Sequence, residues 1–429
     1  MLTPKINVIR HLSNGESISV GVLAQNKQGV YFQYDNSYLN SQKNLSPFKL
    51  KFTNELQLAP KTPHNKLHGV FSDSLPDGWG LLLQDREFKK RGLQPNQITA
   101  MDRLSLVGNT GVGALSYQPA CNEQNEINPK LDLHILGLEA QAVFNGQTEE
   151  LTQALLTAGS SAGARPKAQL YFAPGDFSKC RTQPTKGDEA WLVKFTSENL
   201  PLKHEEGLCE AAYLTMAKLA KIDTPEWQLI PAPKTSGASH WLALKRFDRQ
   251  QTPGGQLGKM HMHSAAGLLD ADFRMPSLDY QEIIKASRVL CQSPKTGQIQ
   301  FARAIFNLLS CNQDDHAKNW SFLQTDDGNW NPSPFYDITY SPTAFNEHST
   351  AFIGYGKQPP LKVIQQLATD ASFSNWQEAK EVIENITDAI SQFTNTAQSL
   401  GIQKKTIHQI QNQLNKTWKE NSQILGLPH

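Results

Sequence analysis

Residues 310–337, SCNQDDHAKNWSFLQTDDGNWNPSPFYD, constrain this chain more than any other stretch. They leave an apolar helix, cross a polar loop, run through the short apolar segment 320–323, turn at 326–329 and close on Phe335-Tyr336-Asp337. Asp314 and Asn319 are five residues apart, and a third metal-competent side chain, Asp337, lies beyond the predicted hairpin. Phosphoryl transfer from ATP needs such a set: an Asp to orient the attacking hydroxyl and take its proton, and an Asn and a second Asp to hold magnesium. The Asp-x-x-x-x-Asn interval matches a protein-kinase catalytic loop. Alone it recurs by chance in any long polar sequence. Its position between a helix and a hairpin that ends in an aromatic–Asp pair makes it informative.

The parts that precede it come in a matching order. Small residues run from Gly159 through Ser160, Ser161, Ala162, Gly163 and Ala164 to Arg165-Pro166-Lys167. Unhindered backbone amides and two cations suit a triphosphate, although an ordinary Gly/Ser connection has the same composition. Strands are predicted over 168–172 and 191–195, separated by a charged, mobile excursion over 174–189. Lys194 lies near the end of the second strand, where its ammonium can reach a phosphate. A helix over 205–219 carries Glu210 as a partner for Lys194. A strand over 241–244 then runs into the linker Lys245-Arg246-Phe247-Asp248-Arg249. Loop, strand lysine, helix glutamate, linker, catalytic loop and distal Asp follow the order of parts in a kinase.

Upstream, residues 1–60 read as β-rich from the alternation at Ile18, Val20 and Val22 and the run 30–34. Residues 71–80, FSDSLPDGWG, read as a turn-rich loop, followed by a helix over 81–90 with Gly92 at its C-terminal end. The segment Gly108-Asn109-Thr110-Gly111-Val112-Gly113 imitates a phosphate loop. It lacks the Lys-Ser/Thr pair and leads into a strand rather than a helix N-terminus, so it reads as a decoy. Residues 121–145 read as a polar connection, with a helix over 149–156.

Beyond Pro253-Gly254-Gly255 the pattern becomes helical. A helix is predicted over 300–309, a single long one carries the apolar stripe from Trp376 to Leu400, and a last one carries Ile407, Ile410, Leu414 and Trp418. His261, His263 and His348 are assigned to loops. The 41 basic and 40 acidic residues give no global field for nucleic acid. No run of about 18 apolar residues offers a membrane span, and the N-terminal residues lack the apolar segment of a signal peptide. The five cysteines are scattered and never CxxC, which argues against a disulfide framework or a zinc site. A reduced, cytoplasmic protein without membrane association is expected. The expected fold class is α+β: a kinase-like two-lobe fold with a mixed α/β N-terminal part and an all-helical C-terminal domain. Its units are a β-rich subdomain over 1–120, a nucleotide-binding lobe over 121–252 and a helical domain over 253–429 that carries the catalytic loop.

With these stretches in place, the chain resembles the HipA family, the serine/threonine kinase toxins of bacterial toxin–antitoxin pairs. The likeness rests on SAGARPKA (161–168), WLVKF (191–195), LALKRFDR (242–249), DDHAKNWSF (314–322) and PFYDI (334–338), with VFSDSLPDGWG and GNTGVGALSY upstream. The resemblance implies ATP and Mg2+ as cosubstrate and cofactor, with Asp314 as the catalytic base and Asn319 and Asp337 as magnesium ligands. Lys194 falls on the phosphate-pairing lysine, and Lys245, Arg246 and Phe247 fall on the adenine-binding linker. Ala162, Gly163, Ala164, Arg165, Pro166 and Lys167 fall on the phosphate loop. His316, Ala317, Lys318 and Tyr336 fall in the nucleotide site, and Ser160 falls on the serine that family kinases autophosphorylate as an off switch. Implied partners are a protein substrate such as an aminoacyl-tRNA synthetase, a HipB-like helix-turn-helix antitoxin and, through it, operator DNA. The chain departs from the pattern at Lys245, where an acidic residue is expected, and in the length of the excursion before Trp191. Two rival readings are a non-catalytic corepressor that binds a DNA-bound antitoxin and a metal phosphohydrolase built on Asp315-His316 as a reversed HD pair.

Overall fold

The computed structural model describes residues 3–121, 130–159 and 163–425. The first hundred or so residues build an antiparallel sheet from β1 (Lys5–His11), β2 (Ser17–Gln25), β3 (Val30–Tyr34), β4 (Gln57–Leu58) and β5 (Leu115–Gln118), in the order β4-β3-β2-β1-β5. Alternation along β1 turns Ile6, Val8 and Arg10 to one buried side. Ile6 and Val8 share a core with Phe71, Met101 and Leu104. Arg10, 0 % exposed, donates hydrogen bonds of 3.1 Å to the Tyr38 hydroxyl, to Gln324 Oε1 and to the Thr325 carbonyl.

A second antiparallel sheet, β8-β9-β7-β6, contains β6 (Lys167–Phe172), β7 (Glu189–Lys194), β8 (Trp227–Pro231) and β9 (His240–Lys245). The period of two divides its side chains. Leu242 and Leu244 join the core of α2 (Glu206–Leu219), whereas Trp241 and Ala243 join that of α1 (Leu133–Phe144). Gly137 in α1 is needed for that packing, because a Cβ there would stand 2.2 Å from the Trp241 ring.

The remaining residues form a mostly helical lobe around α3 (Tyr280–Cys291), α4 (Pro294–Ser310), α5 (Leu361–Asp370), α6 (Trp376–Ser391), α7 (Phe393–Ser399) and α8 (Lys404–Asn421). The expected hairpin is there as β10 (Ser321–Gln324) and β11 (Trp330–Pro332). A strand with no sequence-based expectation, His261–Ser264, pairs antiparallel with β10, which places His261 and His263 on a strand rather than in loops.

Four further expectations change. The supposed connection before residue 145 contains α1. Its apolar positions Leu133, Leu136, Ala140 and Val143 are buried at helical spacing, and the Asp132 side chain caps its N-terminus. The next helix is Gln153–Ala158 rather than 149–156, because the Thr152 hydroxyl accepts from the Leu155 amide and fixes the start there. The stripe from Trp376 to Leu400 is split between α6 and α7. The chain tightens at Gln392, whose amide donates to Ala389 O, and Phe393 then packs edge-on against Tyr213. The charged excursion is tied down: Cys180 is buried, Arg181 pairs with Asp188 at 2.9 Å, and Thr185 donates to Asp188 from both its amide and its hydroxyl. Among the described residues no helix is long and apolar enough to cross a membrane.

Candidate active site

A cleft of about 540 Å³ opens between the second sheet and the helical lobe. β7 delivers Lys194 to its lining, and α2 supplies the buried Glu210 as its partner. The Lys194 ammonium lies 2.7 and 2.8 Å from the two Glu210 carboxylate oxygens and 2.7 Å from Asp337 Oδ1. Asp337 has a left-handed backbone, φ 56°, a conformation uncommon for non-glycine residues though commoner for Asp than for most. Burial alone would raise its carboxyl. Lys194, Lys167 and Arg165 overcome that and hold it well below the usual carboxylate range. Asp337 is therefore a fixed anion surrounded by three cations.

The loop from Asp314 to Asn319 is positioned by the aspartate beside the predicted base. Cys311, φ 56°, ends α4 in the left-handed conformation. The buried Asp315 carboxylate then accepts from the Tyr280 hydroxyl, the Ser349 amide at 2.8 Å and the Thr350 amide at 3.2 Å, and contacts His348 Nδ1 at 2.8 Å. With Asp315 so engaged, Asp314 turns into the cleft with its side chain 61 % exposed, 3.7 Å from His316 Nε2. Crowding by the cleft walls pushes the Asp314 carboxyl up. His316 opposes that and Asp337 adds to it, while solvent at this exposure screens the effect. The Asn319 side-chain amide donates to the Asp314 carbonyl at 2.7 Å, which leaves its Oδ1 as the atom available to a metal.

Opposite this loop, Arg165 pairs with Glu206 at 2.9 Å. Lys167 is buried at the start of β6, and burial, aided by Lys194 and opposed by Asp337, lowers its ammonium to about 8. The linker closes the far end. Its amides at Lys245 and Arg246 are committed to Glu226 O and Ala190 O, and the Phe247 ring lies 5.5 Å from that of Tyr336. Lys245 Nζ sits 2.9 Å from Glu189 and 3.3 Å from Glu226, so its charge is balanced locally. The Arg246 guanidinium turns into a buried ion cluster with Asp248. The Tyr336 hydroxyl bonds the Lys318 carbonyl at 2.7 Å.

The cleft thus brings together Gly163, Ala164, Arg165, Lys167, Lys194, Lys245, Arg246, Phe247, Asp314, His316, Lys318, Asn319, Tyr336 and Asp337. Pro166 and Ala317 stay out of its lining: Pro166 O accepts from the Phe195 amide, and Ala317 packs with Ala266 and Ala271. Ser160 and Ala162 lie outside the described residues. The reversed HD reading has no support here, since Asp315 is consumed by four protein groups and His316 faces Asp314 instead. Sequence reasoning missed Asp73, Asp77, Phe273 and Arg274, which also line the cleft. A usable signal existed for Asp77, a carboxylate wedged between Pro76 and Gly78 in a turn.

The family model of the HipA-like C-terminal domain matches residues 159–418, and that of the HipA N-terminal domain matches residues 15–118. The putative kinase Y4dM of Sinorhizobium fredii is 24 % identical over 405 residues, 91 % of each chain. The serine/threonine-protein kinase toxin HipA of Shewanella oneidensis is 25 % identical over 199 residues, 42 % of each. Among solved structures, a chain of the Shewanella oneidensis HipA, HipB and operator DNA complex superposes with a TM-score of 0.70 at 15 % identity, covering 98 % of this chain and 100 % of that one.

Proposed function

The chain belongs to the HipA family, and from that premise we propose that it is an ATP-dependent serine/threonine protein kinase. The observation that carries the reading is the convergence of Glu210 and Asp337 on the Lys194 ammonium, each within 2.8 Å, in a cleft that Asp314 and Asn319 also line. Asp314 would accept the proton of the attacking hydroxyl; its exposure leaves it open to a protein substrate. Lys194, Lys167 and Arg165 would bind the phosphates, and the apolar pair Phe247 and Tyr336 would flank the base. Asn319 Oδ1 and the Asp337 carboxylate suit magnesium: both are hard oxygen donors, one with its amide already tethered and the other held ionised. Magnesium, when bound, neutralises charge developing on the phosphates.

The finer reading follows the relatives. The division at about residues 120 and 252 separates an N-terminal subdomain, a nucleotide lobe and a catalytic lobe. The Shewanella relative is a kinase toxin, and the matched structure holds HipB and operator DNA. The corresponding role here is the cytoplasmic toxin of a pair. It would be held by a HipB-like antitoxin on operator DNA, phosphorylate a translation factor such as an aminoacyl-tRNA synthetase, and switch itself off at Ser160. The deciding experiment incubates the protein with magnesium and γ-labelled ATP, with Asp314→Asn as control. A thermal shift from the Mg·ATP pair together with Asp314-dependent label on Ser160 is expected. Phosphate release from simple esters without protein labelling would instead favour a hydrolase, and binding of neither ATP nor label a corepressor.

A further inference from the structure

The segment 71–80 enters the cleft from the N-terminal subdomain, with Asp73, Asp77 and Gly78 in its lining. The Asp77 carboxylate is shared. One oxygen accepts a hydrogen bond from the Gly163 amide, and the other lies 2.8 Å from Lys318 Nζ. Gly163 belongs to the phosphate loop and Lys318 to the catalytic loop, so this one side chain bridges two separate loops that line the cleft. Its neighbours fix the same contact. The Trp79 amide donates to Gly163 O at 3.0 Å, and the Trp79 indole donates to Lys167 O at 2.8 Å. Gly78 has φ 42°, and a Cβ there would stand 2.6 Å from Ala164 Cα, so the turn has room for the loop only without a side chain. The second partner is aimed as well: Lys318 Nζ lies 4.3 Å from the centre of the Phe273 ring, which leaves the ammonium between an aromatic face and Asp77.

We propose that Asp77 is a positioning residue of the phosphate-transfer site: it holds the Gly163 end of the phosphate loop against the catalytic loop and orients Lys318. The nucleotide cleft is then completed by the N-terminal subdomain rather than by the two lobes alone. The role deepens the kinase reading and rests on it for its catalytic consequence, but the clamp itself exists without nucleotide. Asparagine at this position keeps an oxygen for the Gly163 amide and loses the charge partner of Lys318. Alanine loses both.

Two measurements on the full chain test it. Hydrogen exchange of the ligand-free protein, read on a peptide ending at Arg165, reports the loop; Asp77→Ala should speed exchange at Gly163 about tenfold, and Asp77→Asn should do so less. ATP affinity, read by calorimetry with magnesium, reports the consequence. Asp77→Asn and Lys318→Met should each weaken it about tenfold, and the double variant should be no weaker than the worse single, because the two substitutions remove one interaction. Melting temperatures near that of the unaltered protein in Asp77→Asn keep a folding defect apart from a positioning one. Unchanged exchange in Asp77→Ala, or a double variant about a hundredfold weaker, would overturn the clamp while leaving the kinase reading intact. Unaltered protein that binds no ATP, yet shows faster exchange in Asp77→Ala, would overturn the kinase reading and retain the clamp.

Discussion

Two glycine-containing loops in this chain, 108–113 and 163–167, look alike on paper and face opposite chemistry. The first presents carbonyls to buried guanidinium groups. Arg249 donates to Gly113 O at 2.9 Å and to Gly111 O at 3.0 Å, while the Gly113 amide donates to Asp248 at 2.7 Å. Asp248 in turn pairs with Arg246 and Arg249 at 2.7 Å. The second loop presents cations to a carboxylate, with Arg165 and Lys167 beside Asp337. Glycine permits close approach in both; what approaches differs. The second loop keeps its cations facing the cavity, whereas the glycine carbonyls and the Gly113 amide of the first are spent on Asp248 and Arg249 of the linker.

The contrast predicts opposite signatures: lost function without lost stability around the second loop, and the reverse around the first. The largest effect should come from Asp314→Asn, which faces the second loop across the cleft. Transfer should fall by about 10² to 10⁴ with little change in melting temperature, and a folded variant that still transfers at the original rate would remove Asp314 from the chemistry. Arg249→Met should cost about 3 to 5 kcal/mol of stability in a denaturant titration, because it unpairs buried groups, while the folded fraction binds ATP as before. Weaker ATP binding at unchanged stability would make the first loop a phosphate site after all. Asp337→Ala should weaken ATP about tenfold, ~1.4 kcal/mol, with magnesium and much less without it; equal losses in both titrations would make Asp337 a purely structural ion.

The smallest effect is in pH. Folding depresses the Lys167 ammonium to about 8, so it is charged at pH 7, and bound phosphates would favour that charged form. ATP affinity should therefore fall a few-fold between pH 7 and pH 9, and Lys167→Met should flatten the profile. The linked sign for the free protein is opposite. The unfolded chain holds this proton more tightly, so Lys167 makes the fold more stable as pH rises from about 8 toward the ordinary lysine value. A profile as steep in Lys167→Met as in the unaltered protein would assign the titration elsewhere.

The helix–loop–hairpin order around Asp314 was legible because each piece is local: a helix end, a spacing of five, a turn and an aromatic–Asp pair. The Lys194–Glu210 contact was legible because strand and helix periodicity aim both side chains inward. What sequence hid is whatever depends on distant partners. Asp315 and Asp314 are the same residue type side by side, and His348, Ser349, Thr350 and Tyr280, all distant in the chain, decide which one is buried. Arg246, assigned to adenine through the linker, spends its side chain on Asp248 and Gln169. Helix α1 was hidden for a different reason: the polar run before it masked a regular apolar stripe.

Arg10 carries a consequence for the order in which the molecule can be made. Its partner Gln324 lies 314 positions later in the chain, so a ribosome exposes the complete N-terminal sheet long before that acceptor is synthesised. Until then a guanidinium destined for full burial has only Tyr38 within the sheet's own sequence, and burying it with its other hydrogen bonds unmade is unfavourable. The Arg10 end of that face therefore stays open to water until the β10–β11 hairpin arrives, while Ile6 and Val8 already have Phe71, Met101 and Leu104 to pack against. The first and last thirds of the chain therefore mature together at this point, and the hairpin that follows Asn319 is the piece on which the Arg10 end of the earliest-made strand waits.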